Sequence, residues 1–332
     1  MKNRYLRGVV FSSFVIFFIQ LGSAQQLPLF TQYREMAGFI NPAAVPLDHL
    51  LYNYHIFIGS SARFQWVSKE NTPRTQTLHG EWIGKGDAFA LMAGGYLLND
   101  QAGRIGTTGM YGRLGSIFFG DQEEGGISTA LSFGGLQYRV NPVGLRAKDP
   151  DDDAAQPFSA ISADVGLGVF GWKKLGGGSY VGNNILYGGI SVPQLIGAKS
   201  TLTTFRAVTS GGDSVSRSLN YAQRQHFYLQ GGYVQRFTES SFIDFVCWVK
   251  YVHNAPIHVD FTARYQPFDY LWFGLGFNTA YNLHIDTGVY FNEAKSIRLG
   301  YGFDYNLSPK LLYFGNSHEI NLSFAFGNRE KY

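Results

Sequence analysis

Between Ile257 and Tyr305 the side chains alternate in character with a period of two, in four successive runs. In the first run Ile257, Val259, Phe261, Ala263 and Tyr265 fall on one parity, and His258, Asp260, Thr262, Arg264 and Gln266 on the other. A β-strand sends successive side chains to opposite faces, so this run reads as a strand with one greasy and one polar face. Leu271, Phe273, Leu275 and Phe277 repeat the pattern, as do Leu283, Ile285 and Val289, then Ile297, Leu299, Tyr301 and Phe303. Short breaks make the four an antiparallel meander. Its greasy face must either pack on a second sheet or meet lipid. Each run spans about ten residues, the length a tilted strand needs to cross a bilayer. Aromatics mark the run ends, among them Tyr265, Phe268, Tyr270, Tyr281, Phe291 and Tyr305, as in the interfacial girdles of membrane barrels. The pattern predicts a transmembrane β-barrel with Ile257, Val259, Phe261, Leu271, Phe273, Leu283, Ile285 and Leu299 toward lipid. His258, Asp260, Arg264, His284, Asp286 and Arg298 then face a lumen that this reading makes watery.

The rest of the chain fits that frame. Forty-one glycines, 21 tyrosines and 28 phenylalanines suit many strands joined by tight turns. The mean hydropathy of -0.09 is too polar for a helical membrane protein, and no internal run reaches the roughly 18 apolar residues of a membrane helix. A net charge of +3 is too small to suggest a nucleic-acid partner, and no basic stripe appears. Further strands are expected near 54–66, 75–84, 87–98, 106–119, 126–139, 160–173, 183–193, 223–236, 242–253 and 317–327. With the meander these make fourteen, and a single-chain bacterial barrel takes an even number. Residues 195–222 are therefore expected as an external excursion carrying a short ribbon. The longer connections, including 140–157 and 307–316, then share one mouth, as outer loops do.

The expected organisation is a signal peptide at 1–24, a leader at 25–50 and an outer-membrane β-barrel at 51–332. Lys2, Arg4 and Arg7 precede the apolar stretch Val9–Ile19, and Gly22-Ser23-Ala24 supplies small residues before a cut at Gln25. Cys247 is the single cysteine, so no internal disulfide forms. In the leader, Leu29, Tyr33 and Met36 fall near helical spacing until Asn41-Pro42 stops the pattern. Two roles stay open for it: a segment ordered against or inside the barrel mouth, or a docking element for a periplasmic or secreted partner. Asp149 and Asp151, Asp152 and Asp153 crowd carboxylates into one loop. Oxygen ligands of that kind suit calcium, yet the loop lacks the glycine and distal glutamate of a calcium loop, so a solvated surface loop is expected.

Phe30-Thr31-Gln32-Tyr33, Ile40-Asn41-Pro42-Ala43, Arg63-Phe64-Gln65-Trp66 and Ser317-His318-Glu319-Ile320, with several stretches between them and in this order, resemble the PorP/SprF family of outer-membrane proteins linked to type IX secretion. Phe30-Thr31-Gln32-Tyr33 followed by Ile40-Asn41-Pro42-Ala43 is similar to that family's leader. Arg63-Phe64-Gln65-Trp66 with Thr72-Pro73-Arg74-Thr75 resembles its first hairpin, and Leu98-Asn99-Asp100-Gln101-Ala102-Gly103 a loop that follows. Asp149-Pro150, Asp164-Val165-Gly166-Leu167-Gly168, Tyr187-Gly188-Gly189-Ile190-Ser191 and Gly315-Asn316-Ser317-His318-Glu319-Ile320 continue the series, the last with Asn316 inserted. The resemblance implies a non-enzymatic role as partner of a secreted protein bearing a type IX C-terminal signal. It also implies contact with periplasmic machinery components, and gliding adhesins are one cargo class. On this reading Gln32, Tyr33, Asn41 and Pro42 of the leader, with Asp149, Asp151, Asp152 and Asp153, are candidate partner contacts.

A general porin or small-solute channel is the main alternative, with the lumen charges setting selectivity or forming a hydrated network that braces the wall. Catalysis is not expected. Ser317 and His318 are neighbours on a strand and point to opposite faces, no serine has an activating context, and no zinc-ligand spacing or cofactor motif occurs.

Overall fold

A computed structural model describes residues 30–69, 71–120, 124–141, 158–176, 183–196, 199–206, 215–222, 224–291, 295–307 and 315–327. The strands are β1 Ile56–Phe64, β2 Arg74–Ile83, β3 Phe89–Ala102, β4 Ile105–Phe119, β5 Gly125–Val140, β6 Phe158–Leu175, β7 Asn184–Val192, β8 Lys199–Arg206, β9 Val215–Ala222, β10 His226–Arg236, β11 Phe242–Val252, β12 His258–Phe268, β13 Leu271–Asn278, β14 Asn282–Tyr290, β15 Ile297–Asn306 and β16 Ser317–Phe326. Fourteen of them close an antiparallel barrel in chain order, β1 pairing with β16 across the seam. The remaining pair, β8 and β9, forms a separate ribbon within the excursion that the count set aside. Closure leaves no edge strand, the condition for a sheet to lie in lipid.

Parity sorts the wall as the sequence indicates. Phe273, Leu275, Phe277 and Ile285 are about half exposed on the outside, whereas Trp272, Asp286 and His284 on the opposite parity are almost fully buried. The links after β1, β5, β7 and β15 open at one mouth, and those after β2, β4 and β10 at the other. By the general rule for such barrels, the short-turn mouth is periplasmic and the long-loop mouth faces out. The acidic residues Asp149, Asp151, Asp152 and Asp153, the segment 1–24 and the start of the leader at 25–29 lie outside the described residues.

The inside corrects one expectation. Asp260, Arg264, His284, Asp286 and Arg298 do face inward, but each is less than one-tenth exposed. The lumen around them is filled by the chain's own residues 30–55. The alternation fixes which side chains point inward, but a polar inner face suits water and a polar plug equally well.

A leader docked in the lumen

Residues 30–55 run the length of the barrel from the long-loop half to the short-turn mouth. Phe30, Met36 and Phe39 cluster with Leu98, Tyr111 and Leu136, which lie toward the long loops. Leu47, Leu50 and Tyr52 cluster with Ile83, Met92 and Phe170 at the opposite end. Between them come a 3-10 turn at Tyr33–Met36, a helical turn at Ala37–Ile40 and a short helix at Leu47–Tyr52. The first two end at Asn41, whose backbone is extended at φ -126 and ψ 109, as a residue before proline prefers. Its side-chain carbonyl accepts the Ala43 amide at 2.9 Å and fixes the bend.

Irregular backbone at membrane depth requires partners for its polar groups. The wall supplies them. Ser191 donates to the Ile40 carbonyl at 2.8 Å, Arg113 to those of Pro42 at 2.8 Å and Ala44 at 3.0 Å, and Ser128 to that of Ala43 at 2.6 Å. Asn41 itself donates to the Val169 carbonyl of β6 at 3.1 Å. Here the leader lies against bare backbone: a Cβ on Gly168 would strike the Asn41 side chain, and one on Gly189 would meet its amide nitrogen at 2.6 Å. Gly300 and Gly302 make the same room for Gln32 and Thr31. Gly168→Val should therefore weaken docking by about 1–3 kcal/mol, the usual cost of overpacking. Faster proteolysis within 30–55, with unchanged strand content by circular dichroism, is the expected readout.

Two ionic clusters complete the grip. Toward the long loops, buried Glu319 accepts the backbone amides of Thr31 at 2.7 Å and Gln32 at 3.3 Å. Arg63 pairs with Asp304, reaches Glu319 at 3.4 Å and donates to the Thr31 hydroxyl, which in turn donates to Asp304 at 2.9 Å. Arg63 and Glu319 are register partners across the β1–β16 seam, so the leader is tied to the line where the barrel closes. Deeper in, Glu35 bridges Arg298 and Arg264, the latter at 3.2 Å. Asp48 bridges Arg298 at 2.8 Å and Arg34 at 2.9 Å, and Asp286 holds Arg264 at 3.1 Å. Both wall arginines lie over the Trp272 ring, 5.4 and 6.0 Å from its centroid. Only a small cavity of about 30 Å³ remains beside this network, lined by Glu35, Asp48, His79, Glu81 and Arg298 among others.

Titration of the leader gives docking a pH dependence. Burial would raise the Asp48 carboxyl, but Arg298 and Arg34 overcome this and hold it below the usual carboxylate range. Its contribution is thus complete above the ordinary 3.8 and fails only in stronger acid. His49 donates through Nδ1 to the Tyr54 carbonyl at 2.6 Å, and burial pushes its pKa from 6.5 down to about 4. Between those values a released leader binds a proton that the docked one excludes. Docking should be at full strength above 6.5 and weaken as pH falls toward about 4. At about pH 5 the loss is roughly 2 kcal/mol. Amide exchange in Leu47–Tyr52, corrected for intrinsic rate, should report it, and His49→Gln should flatten the dependence over that window.

The candidate residues divide accordingly. Gln32, Tyr33, Asn41 and Pro42 are all buried against the wall, so among the described residues none is presented at the surface. Asp260 and His284 lie 3.7 Å apart, with Thr262 at 2.8 Å from the imidazole, while Asp286 belongs to Arg264. His258 is half-buried at the strand end. Ser317 faces inward, and His318 faces outward, 2.7 Å from the Tyr301 hydroxyl. Arg63, Arg113, Asp304 and Glu319 were not among the sequence candidates. Their inward parity was readable, and a leader ordered against or inside the barrel mouth was one of the two roles expected, but which wall residues would hold it was not. Among the described residues no group of three or more His, Cys, Asp or Glu side chains is placed to hold a metal.

The sequence profile described as "Type IX secretion system membrane protein PorP/SprF" matches residues 22–324. No curated protein matched the sequence. Among solved structures, the Ralstonia pickettii toluene transporter TbuX is similar at 11% identity and a TM-score of 0.49, covering 88% of this chain and 93% of its own. The Acinetobacter baumannii outer membrane protein Omp33 has 9% identity and a TM-score of 0.44, with 83% and 99% covered. The translocator domain of autotransporter NalP from Neisseria meningitidis has 12% identity and a TM-score of 0.41, with 82% and 88% covered. These are likenesses of fold alone.

Proposed function

The chain belongs to the PorP/SprF family of type IX secretion system membrane proteins, and from that premise we propose that it is a non-catalytic outer-membrane partner of a secreted surface protein. The partner carries the type IX C-terminal signal, and the barrel assists its export or holds it at the surface, a gliding adhesin being one such cargo. Contact with periplasmic components of the machinery belongs to the same reading. The observation that carries it is the occupied lumen. A wall that spends Arg63, Arg113, Arg264, Arg298 and Glu319 on its own leader is built to be closed, not to pass solutes. What remains for recognition is the rim, where loops on a rigid scaffold usually carry specificity. The ribbon β8–β9 lies in the 195–222 excursion at the long-loop mouth. Affinity purification from gently solubilised native membranes should recover a protein with the matching C-terminal signal. Exchanging 195–222 for a short turn should weaken that capture while the barrel still assembles. Recovery of the barrel alone, together with solute flux through the reconstituted protein, would favour the porin reading instead.

A further inference from the structure

The outer surface of the wall changes character on one side of the barrel. Strands β3, β4, β5 and β6 are 14, 15, 16 and 18 residues long, whereas β12 has 11 and β13 has 8. The pairing registers arrange the added length of this side in rows across β2 to β5. The row nearest the long-loop mouth is Arg74, Gln101, Gly106 and Arg139, and the next is Gln76, Asn99, Thr108 and Gln137. The third row, Leu78, Leu97, Met110 and Gly135, is apolar, with Met110 69% exposed. Polar ledge thus meets apolar belt within two residues along each strand.

The ledge is organised. Asn99 donates to Gln76 at 3.5 Å, Thr108 to Asn99 at 3.3 Å, and Arg139 to Thr108 at 3.0 Å. These bonds lay the Arg139 guanidinium over Gly106, which has no side chain to displace it. Neither row contains a carboxylate, so Arg74 and Arg139 stand exposed as cations about 14 Å apart, three strand spacings. Elsewhere at the same mouth exposed apolar side chains such as Phe227, Ile257, Tyr281 and Leu307 come up to the rim, and polar ones such as Ser159 and His318 stand singly. Two successive polar rows joined by hydrogen bonds are found on β2 to β5.

We infer that this ledge binds a phosphorylated glycolipid of the outer leaflet. Its acyl chains lie on Leu78, Leu97 and Met110, and its anionic headgroup lies on Arg139 and Arg74. Guanidinium forks suit phosphate, and the sharp polar-to-apolar step suits an amphipathic occupant that crosses it. A soluble protein would engage the polar rows and leave the apolar one to the membrane.

The test uses the full chain purified in detergent and titrated by native mass spectrometry with three probes. These are a lipid A bearing two phosphates, the same lipid with its phosphates removed, and inorganic phosphate. Wild type should hold the phosphorylated lipid at least about tenfold more tightly than either other probe. R74Q/R139Q should lose that preference, while K85Q in a short turn keeps it, with heat-modified gel migration showing that each barrel is folded. Equal affinity for the two lipids, equal affinity for inorganic phosphate, or an unchanged double variant would overturn the assignment. So would a double variant that keeps its lipid preference but no longer captures a secreted protein, since the ledge would then be a protein-docking surface.

Discussion

Arg298→Glu should expel the leader and open the barrel. Arg298 is shared by Glu35 and Asp48, and all three side chains are less than one-tenth exposed. The substitution puts a third carboxylate where the shared cation was. Removing one partner of a buried pair costs about 3–5 kcal/mol, and a like charge adds to that. Strand content and heat-modified migration should be retained, because the fourteen-strand ladder does not depend on the leader's charges. Residues 30–55 should become protease-sensitive, and the reconstituted barrel should conduct. Adding Glu35→Gln to the same chain should recover part of the docking, since one of the crowded carboxylates is then gone. A variant that stays closed and protected would mean that apolar packing alone holds the leader.

Glu319→Ala should act at the other end and should also reach the seam. It removes the acceptor of two leader amides and one carboxylate facing Arg63. The buried Arg63 guanidinium keeps Asp304, but two backbone amides are left without partners, each costing about 1–3 kcal/mol. The expected result is a leader mobile at Thr31 and Gln32 and a barrel that closes more slowly on refolding, because Arg63 and Glu319 face each other across β1 and β16. Glu319→Asp should restore part of both. Normal closure with a released leader would separate the two roles.

Much of the wall was legible in the sequence because a strand's parity and length are local properties. The run Ile257 to Gln266 declares its two faces without reference to any other residue. The even count likewise placed 195–222 outside the wall, where the β8–β9 ribbon is found. The site was legible only in pieces. The Asn41-Pro42 stop, the glycines of 164–168 and 187–191 and Glu319 all belonged to motifs that could be seen in order. Their common cause is contact between segments far apart in the chain: Asn41 seats against Gly168 and Gly189, and Thr31 is held by Glu319. Glycine at an inward position reads as a tight turn or a weak strand until the backbone that lies against it is known. Inward arginines and carboxylates likewise read as a hydrated lumen until their counter-charges on the leader are placed.

Planar-bilayer conductance of the reconstituted full chain, beside a chain lacking residues 30–46, decides whether the leader closes the lumen. If the leader closes the lumen, the full chain should show no steady conductance near neutral pH, and the deleted chain should show stable open steps. Steady open steps of equal size from both would mean that the leader does not close the lumen, because a leader that fills the barrel cannot leave its conductance unchanged.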